Sequence, residues 1–276
     1  MRKYITFAMA VLISMVPLQF SRESESESTS LYHEISDPLD RAYAVAFDRL
    51  NLNIRPGTEV DAKSKESPDS LAHCKSVVYR TLRVLPREHR DRLKTVTLYF
   101  TEEGRRGLAG GNTMILRCLN ISDRELSAVI VHETGHLVDT GLLNGSAESG
   151  ETAFDDFGVP VYSDDPSVEF YAINWDSTTK KRANANNKDF CSTYGAADPF
   201  EDFAECYIAY RLQGKNFRTL AQSNKSLELK YNFLKKYVFN EKEFGDTAKS
   251  TTTSRKLQPY DATTVAYNLS SFWAER

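Results

Sequence analysis

The stretch that most limits how this chain can fold runs from Ser122 to Leu137. Ser122 and Glu125 stand in the S-x-x-E arrangement of a capping box, with Ser at the N-cap and Glu three residues on. Leu126 to Leu137 then reads as a strongly apolar helix, and a helix of that kind belongs inside a core. Its centre nevertheless carries Val131-His132-Glu133-Thr134-Gly135-His136, an H-E-x-x-H sequence. The fold has to be built around this element.

Four residues advance a helix by about 400°, so both imidazoles project from nearly one face, one turn apart. That spacing lets two neutral histidines reach one tetrahedral Zn²⁺, one ion per chain. Glu133 lies one step round the helix, where it can take a proton from metal-bound water without ligating the metal. The bland alternative is a pair of stacked surface histidines. A third ligand defines the class. A metzincin would carry Gly at position 139 and His at 142, where this chain has Asp139 and Leu142. A ligand shortly downstream would be Glu148 or Glu151, both in Gly/Ser-rich sequence without a helix signal. Asp198-Pro199-Phe200-Glu201 offers more: Asp198 is a good N-cap, Pro199 suits the first helical position, and Glu201 falls at N3. A carboxylate in a first helical turn is held rigidly and kept ionised by the helix dipole. Glu205, one turn on, can ligate or accept the remaining N–H of a bound histidine. Asp139 can orient a ligand or simply close the helix end.

The chain has 276 residues, 41% apolar and 26% charged, with a formal net charge of −3. That is a globular composition with no electrostatic footprint for nucleic acid. Arg2 and Lys3 precede an apolar run from Tyr4 to Phe20, which reads as a signal peptide (1–20) or, lacking a clear cleavage site, a signal anchor. Residues 21–36 contain Ser/Glu-rich low complexity and read as a disordered linker. The expected catalytic domain spans 37–240, with a helical part at 37–93 and a core at 94–240. Helices are expected from Asp37-Pro38 to Leu50 and from Ser67-Pro68 to about Val84, separated by a loop from Asn53 to Glu66. Lys94–Thr101 and Thr113–Cys118 are the strand candidates, with Gly107, Gly110 and Gly111 as turns between them. An exposed Thr113–Cys118 strand would add an extended peptide as one more strand; an inner strand fits the pattern equally well. Lys181 and Arg182 are candidates for substrate contact, although a solvated face suits them better. The tail, 241–276, can pack back as a short helix or bind a partner.

Three blocks, Val131-His132-Glu133-x-Gly135-His136-x-Val138-Asp139, Ser192-x-Tyr194-Gly195 and Glu201-x-Phe203-Ala204-Glu205, resemble one family of zinc metallopeptidases. That family includes the catalytic domain of anthrax toxin lethal factor and the clostridial Pro-Pro endopeptidases. The resemblance covers roughly 122–240 in separated blocks. It implies His132, His136 and Glu201 as zinc ligands, Glu133 as general base and Tyr194 as the hydroxyl facing the oxyanion. The segment between His136 and Glu201 is longer here than in the toxin, so the family's substrate preferences do not carry over. The receptor-binding portion of the toxin has no counterpart.

Four cysteines permit two disulfides in an exported protein, in any of three connectivities. Cys191 and Cys206 flank Tyr194 and Glu201, so a bridge there would staple that loop to the ligand helix and leave Cys74 to pair with Cys118. Sequons begin at Asn120, Asn144, Asn224 and Asn268. The expectation is an α+β, zincin-like domain with a small sheet, an active-site helix and a mostly helical C-terminal part. The expected function is a secreted, monomeric zinc endopeptidase acting on a peptide or protein substrate, with no nucleic-acid partner and no membrane contact beyond the signal segment. The alternative is a non-catalytic exported protein that keeps the zinc site for binding.

Overall fold

Alternating strands set the frame. In a computed structural model, residues 42, 52–57, 67–102, 104–245, 261–264 and 267–275 are described. The expected signal segment, the linker and, Ala42 apart, the helix expected up to Leu50 lie outside these residues. Strands β1 (Asn53–Pro56), β2 (Thr95–Tyr99), β3 (Gly107–Gly110) and β4 (Thr113–Arg117) form one sheet in the order β1-β2-β4-β3. β1 and β4 run parallel to β2, and β3 runs antiparallel to β4. Val96 and Leu98 of β2 and Met114 and Leu116 of β4 are fully buried on one sheet face, as period-two alternation requires.

Two strand expectations need correction. Asn53–Pro56 is a strand where a loop was expected. Only Ile54 is half-buried, so its sequence carries no alternation, and its identity as an edge strand comes from pairing with β2 through Ile54↔Val96. Gly107–Gly110 is likewise a strand, not a turn. It lies outside β4, with Leu108 opposite Ile115, and makes Thr113–Arg117 an inner strand. Gly-Leu-Ala-Gly has little β propensity of its own; a partner strand selects this conformation.

Helix α1 (Pro68–Leu82) begins at an N-cap Ser67 and leads through the short α2 (Arg87–Arg90) into β2. Helix α3 (Asp123–Leu137) carries the H-E-x-x-H sequence and packs against α1, β3 and β4. Its cap is half of the expected box. Ser122 Oγ accepts from Glu125 N at 3.2 Å, while the Glu125 carboxylate pairs with Arg106. The hairpin β5 (Glu151–Asp156) and β6 (Val159–Tyr162), the short α4 (Ser167–Tyr171), and the hairpin β7 (Trp175–Ser177) and β8 (Lys180–Lys181) fill the segment up to helix α5 (Pro199–Leu212). Helices α6 (Gly214–Ala221) and α7 (Lys225–Phe233) follow, and α8 (Leu269–Ala274) is the last helix among the described residues. The fold is mixed α+β, with a small sheet and a mostly helical C-terminal part.

Both expected cysteine pairs form, Cys74–Cys118 between α1 and the end of β4, and Cys191–Cys206 across the loop before α5. Two disulfides fit an oxidising compartment. Among the described residues no helix is long and apolar enough to cross a membrane.

Candidate metal centre

The centre is built where α3 meets α5. A β-carbon on Gly135 would stand 2.9 Å from Ala204 Cα, so the two helices approach more closely than any larger residue would allow. Glu201 enters from the first turn of α5, where Asp198 Oδ1 accepts from the backbone N–H of Phe200 and Glu201 at 3.0 and 2.8 Å. Glu201 Oε2 lies 3.2 Å from His132 Nε2 and 3.5 Å from His136 Nε2. The three donor atoms lie within 4.8 Å of one another and form the one such group among the described residues. Glu148 and Glu151 are exposed and outside it.

Glu205, fully buried one turn along α5, places Oε1 2.8 Å from His132 Nδ1. A carboxylate there fixes the proton on Nδ1 and turns the Nε2 lone pair toward Glu201 Oε2. Two lone pairs 3.2 Å apart call for a positive charge between or on them. The titration behaviour carries the same message. Burial opposes the charged form of His132, yet Glu201 and Glu205 raise its pKa well above the usual histidine value. Burial opposes the charged form of Glu201 too, and the two imidazoles hold its pKa far below the ordinary carboxylate range. Two His nitrogens and one carboxylate oxygen are a donor set that a divalent cation would fit.

Glu133 faces the same cavity, of about 300 Å³. Burial raises its pKa, against the pull of His132 and His136, and the Ala109 N–H of β3 donates to its carboxylate. Tyr194 joins it across the cavity, 44% exposed, and donates its hydroxyl to Glu201 Oε1 at 2.9 Å. Burial, then the Glu201 charge, raises the phenol pKa.

Three other readings of the sequence resolve toward one of their alternatives. Asp139 is buried and accepts from Tyr171 OH at 2.7 Å; it lines a separate cavity of about 320 Å³, not the one that His132 and His136 line. Burial puts its pKa well above the usual carboxylate range. Lys181 and Arg182 are exposed, as the solvated-face reading has them: Lys181 stacks over Trp175 and Phe190, Arg182 pairs with Asp176, and neither lines this cavity. Thr113–Arg117 takes the inner-strand alternative, and the sheet edge beside the cavity is β3, through Gly107 and Leu108.

Sequence reasoning missed Arg105, Arg106, Leu108, Asp261 and Thr263 among the residues that line the cavity. The glycine punctuation around 107 signalled close backbone approach, but nothing local marked the tail residues.

No protein-family model matches the chain, and no curated protein or solved structure matches it either.

Proposed function

We propose that this chain is a zincin-like, zinc-dependent endopeptidase working in an extracytoplasmic compartment. The observation that carries the reading is the convergence of His132 Nε2, His136 Nε2 and Glu201 Oε2 beside a buried carboxylate, Glu133, that belongs to none of them. A purely structural zinc site is closed and needs no base.

Bound zinc would acidify a water and polarise the scissile carbonyl. The residues supply the rest. Glu133, poised by burial toward a higher pKa, takes the proton of the attacking water and returns it to the leaving amine. Glu205 holds His132 in the Nδ1–H tautomer. The Tyr194 hydroxyl, resting on Glu201 Oε1, turns to the oxyanion as charge develops there. The outer edge of β3 aligns an extended peptide by strand addition. Two disulfides and the apolar N-terminal run support export.

Elemental analysis of purified protein tests the reading. Near one zinc per chain in wild type, clear loss in Glu201→Ala, and full zinc with no chelator-sensitive peptide cleavage in Glu133→Ala are the expected results. Stoichiometric zinc in Glu201→Ala would move the third ligand elsewhere. A wild type that takes up no zinc would sink the enzyme and leave an exported binding protein.

A further inference from the structure

A described part of the C-terminal tail, 261–264, reaches back to the candidate metal centre. Ala262 and Thr263 are buried in the short turn Ala262–Thr264, which packs against both α3 and α5. The backbone N–H of Ala262 donates to Glu205 Oε2, while Glu205 Oε1 faces His132 Nδ1 at 2.8 Å. The carboxylate is itself fully buried, with one oxygen on the tail's amide and the other facing the imidazole. Asp261 fixes the turn: its Oδ1 accepts from Thr263 N at 3.0 Å and Thr264 N at 3.2 Å. Its Oδ2 accepts from Arg106 Nη2 at 3.0 Å, tying the turn to a second residue that lines the cavity.

The segment beyond is docked just as firmly. Tyr267 OH donates to Arg124 O at 2.6 Å on α3, and Phe272 of α8 is fully buried. Trp273 Nε1 donates to Thr81 Oγ1 at 3.2 Å, and Arg211 pairs with Glu275 at 2.8 Å. The turn therefore meets Glu205 from a fixed frame.

We propose that the C-terminal segment is a working part of the metal site, with the Ala262 amide as the positioning group that sets Glu205 and, through it, His132. The inference rests on the zinc reading above. A backbone N–H on Oε2 aims Oε1 at Nδ1 and restricts the carboxylate to one rotamer, so His132 presents Nε2 without rearrangement. Outer partners of this kind change metal affinity by about 10- to 100-fold when removed.

Ala262→Pro deletes that single N–H at the first position of a helical turn, where proline is accepted. The readouts are zinc affinity of the full-length protein by competition with a chromophoric chelator, and the melting temperature of the metal-free form. The expected result is a loss in zinc affinity of about tenfold with little change in metal-free melting. In the double variant Glu205→Ala/Ala262→Pro, the amide should add nothing to the loss caused by Glu205→Ala, because it acts through that carboxylate. If Ala262→Pro does not fold, Asp261→Ala, which releases the turn without a proline, should shift affinity the same way. Wild-type affinity in the folded variant, or additive losses in the pair, would overturn the proposal while leaving the zinc reading intact. A wild type that binds no zinc would defeat the zinc reading, and this proposal with it.

Discussion

Gly107 of β3 lies directly over Glu133 of α3: a β-carbon on Gly107 would stand 2.3 Å from Glu133 Oε1 and 2.7 Å from Val129 Cγ1. The bare backbone at this position lets the sheet edge meet the candidate base. Gly107→Ala should push the carboxylate off its position without touching His132, His136 or Glu201. Misplaced general bases lose about 10²- to 10⁴-fold in rate, so peptide cleavage should fall by at least about tenfold with zinc content unchanged. Full activity in that variant would show that Glu133 can move freely and that its place is not set by β3.

Tyr194 makes a more selective prediction. Its hydroxyl touches Glu201 Oε1, not either imidazole, so Tyr194→Phe removes a donor while leaving all three metal donors in place. Loss of one such donor typically lowers kcat by about 10²- to 10³-fold. Steady-state kinetics should show that loss in kcat, with KM and zinc content near wild type. A drop in bound zinc instead would make Tyr194 a support for Glu201.

Helix α5 depends on one buried ion pair. Lys230 Nζ donates to Asp202 Oδ1 and Oδ2 at 2.8 and 2.6 Å, and both side chains are fully buried. Trp175 Nε1 donates to Asp202 Oδ2 at 3.1 Å. Lys230→Met strands a charge inside the core, which costs about 3–5 kcal/mol. Urea unfolding should show that loss, and Lys230→Met/Asp202→Leu should recover most of it. An equally unstable double variant would mean that packing, not charge, carries the site.

Acid should destabilise the metal-free protein through His89. This ring is buried between Tyr207 and Phe239, with Nε2 2.8 Å from Val238 O and Nδ1 2.8 Å from Tyr207 OH. Nε2–H donating to the carbonyl and Nδ1 accepting from the phenol satisfy a neutral ring. Burial pushes its pKa down to about 4 from 6.5. The folded state therefore binds fewer protons than the unfolded chain between those values. Its contribution is fully present above about pH 6.5 and is lost as pH falls through 4, by about 3 kcal/mol. NMR of the His89 ring should show it neutral at pH 5.5 in chelator-treated protein. A midpoint near 6.5 would refute the assignment.

Much of the centre was legible because its signals are local. Ser122 capping, the i,i+4 spacing of His132 and His136, and the Asp198-Pro199 start of α5 each depend on residues within one or two turns. Other features were invisible for the converse reason. β1 has only Ile54 half-buried, and β3 has two glycines in four residues, so both acquire strand character from β2 and β4. Glu125 matched the capping-box pattern, yet Arg106 claims its carboxylate.

By itself the sequence determined the elements whose stability is written in helical period, caps and alternation: α1, α3, α5, β2, β4 and the face that two imidazoles share. The sequence also favoured Glu201 over Glu148 and Glu151, and the fold brings Glu201 to those imidazoles; tertiary structure alone decided that Asp139 turns away to Tyr171 and that the Ala262 amide closes on Glu205. Residues 57 positions apart, as Glu205 and Ala262 are, leave no periodic trace of their meeting. Which distant groups converge is fixed by how helices pack and which buried polar atoms must find partners.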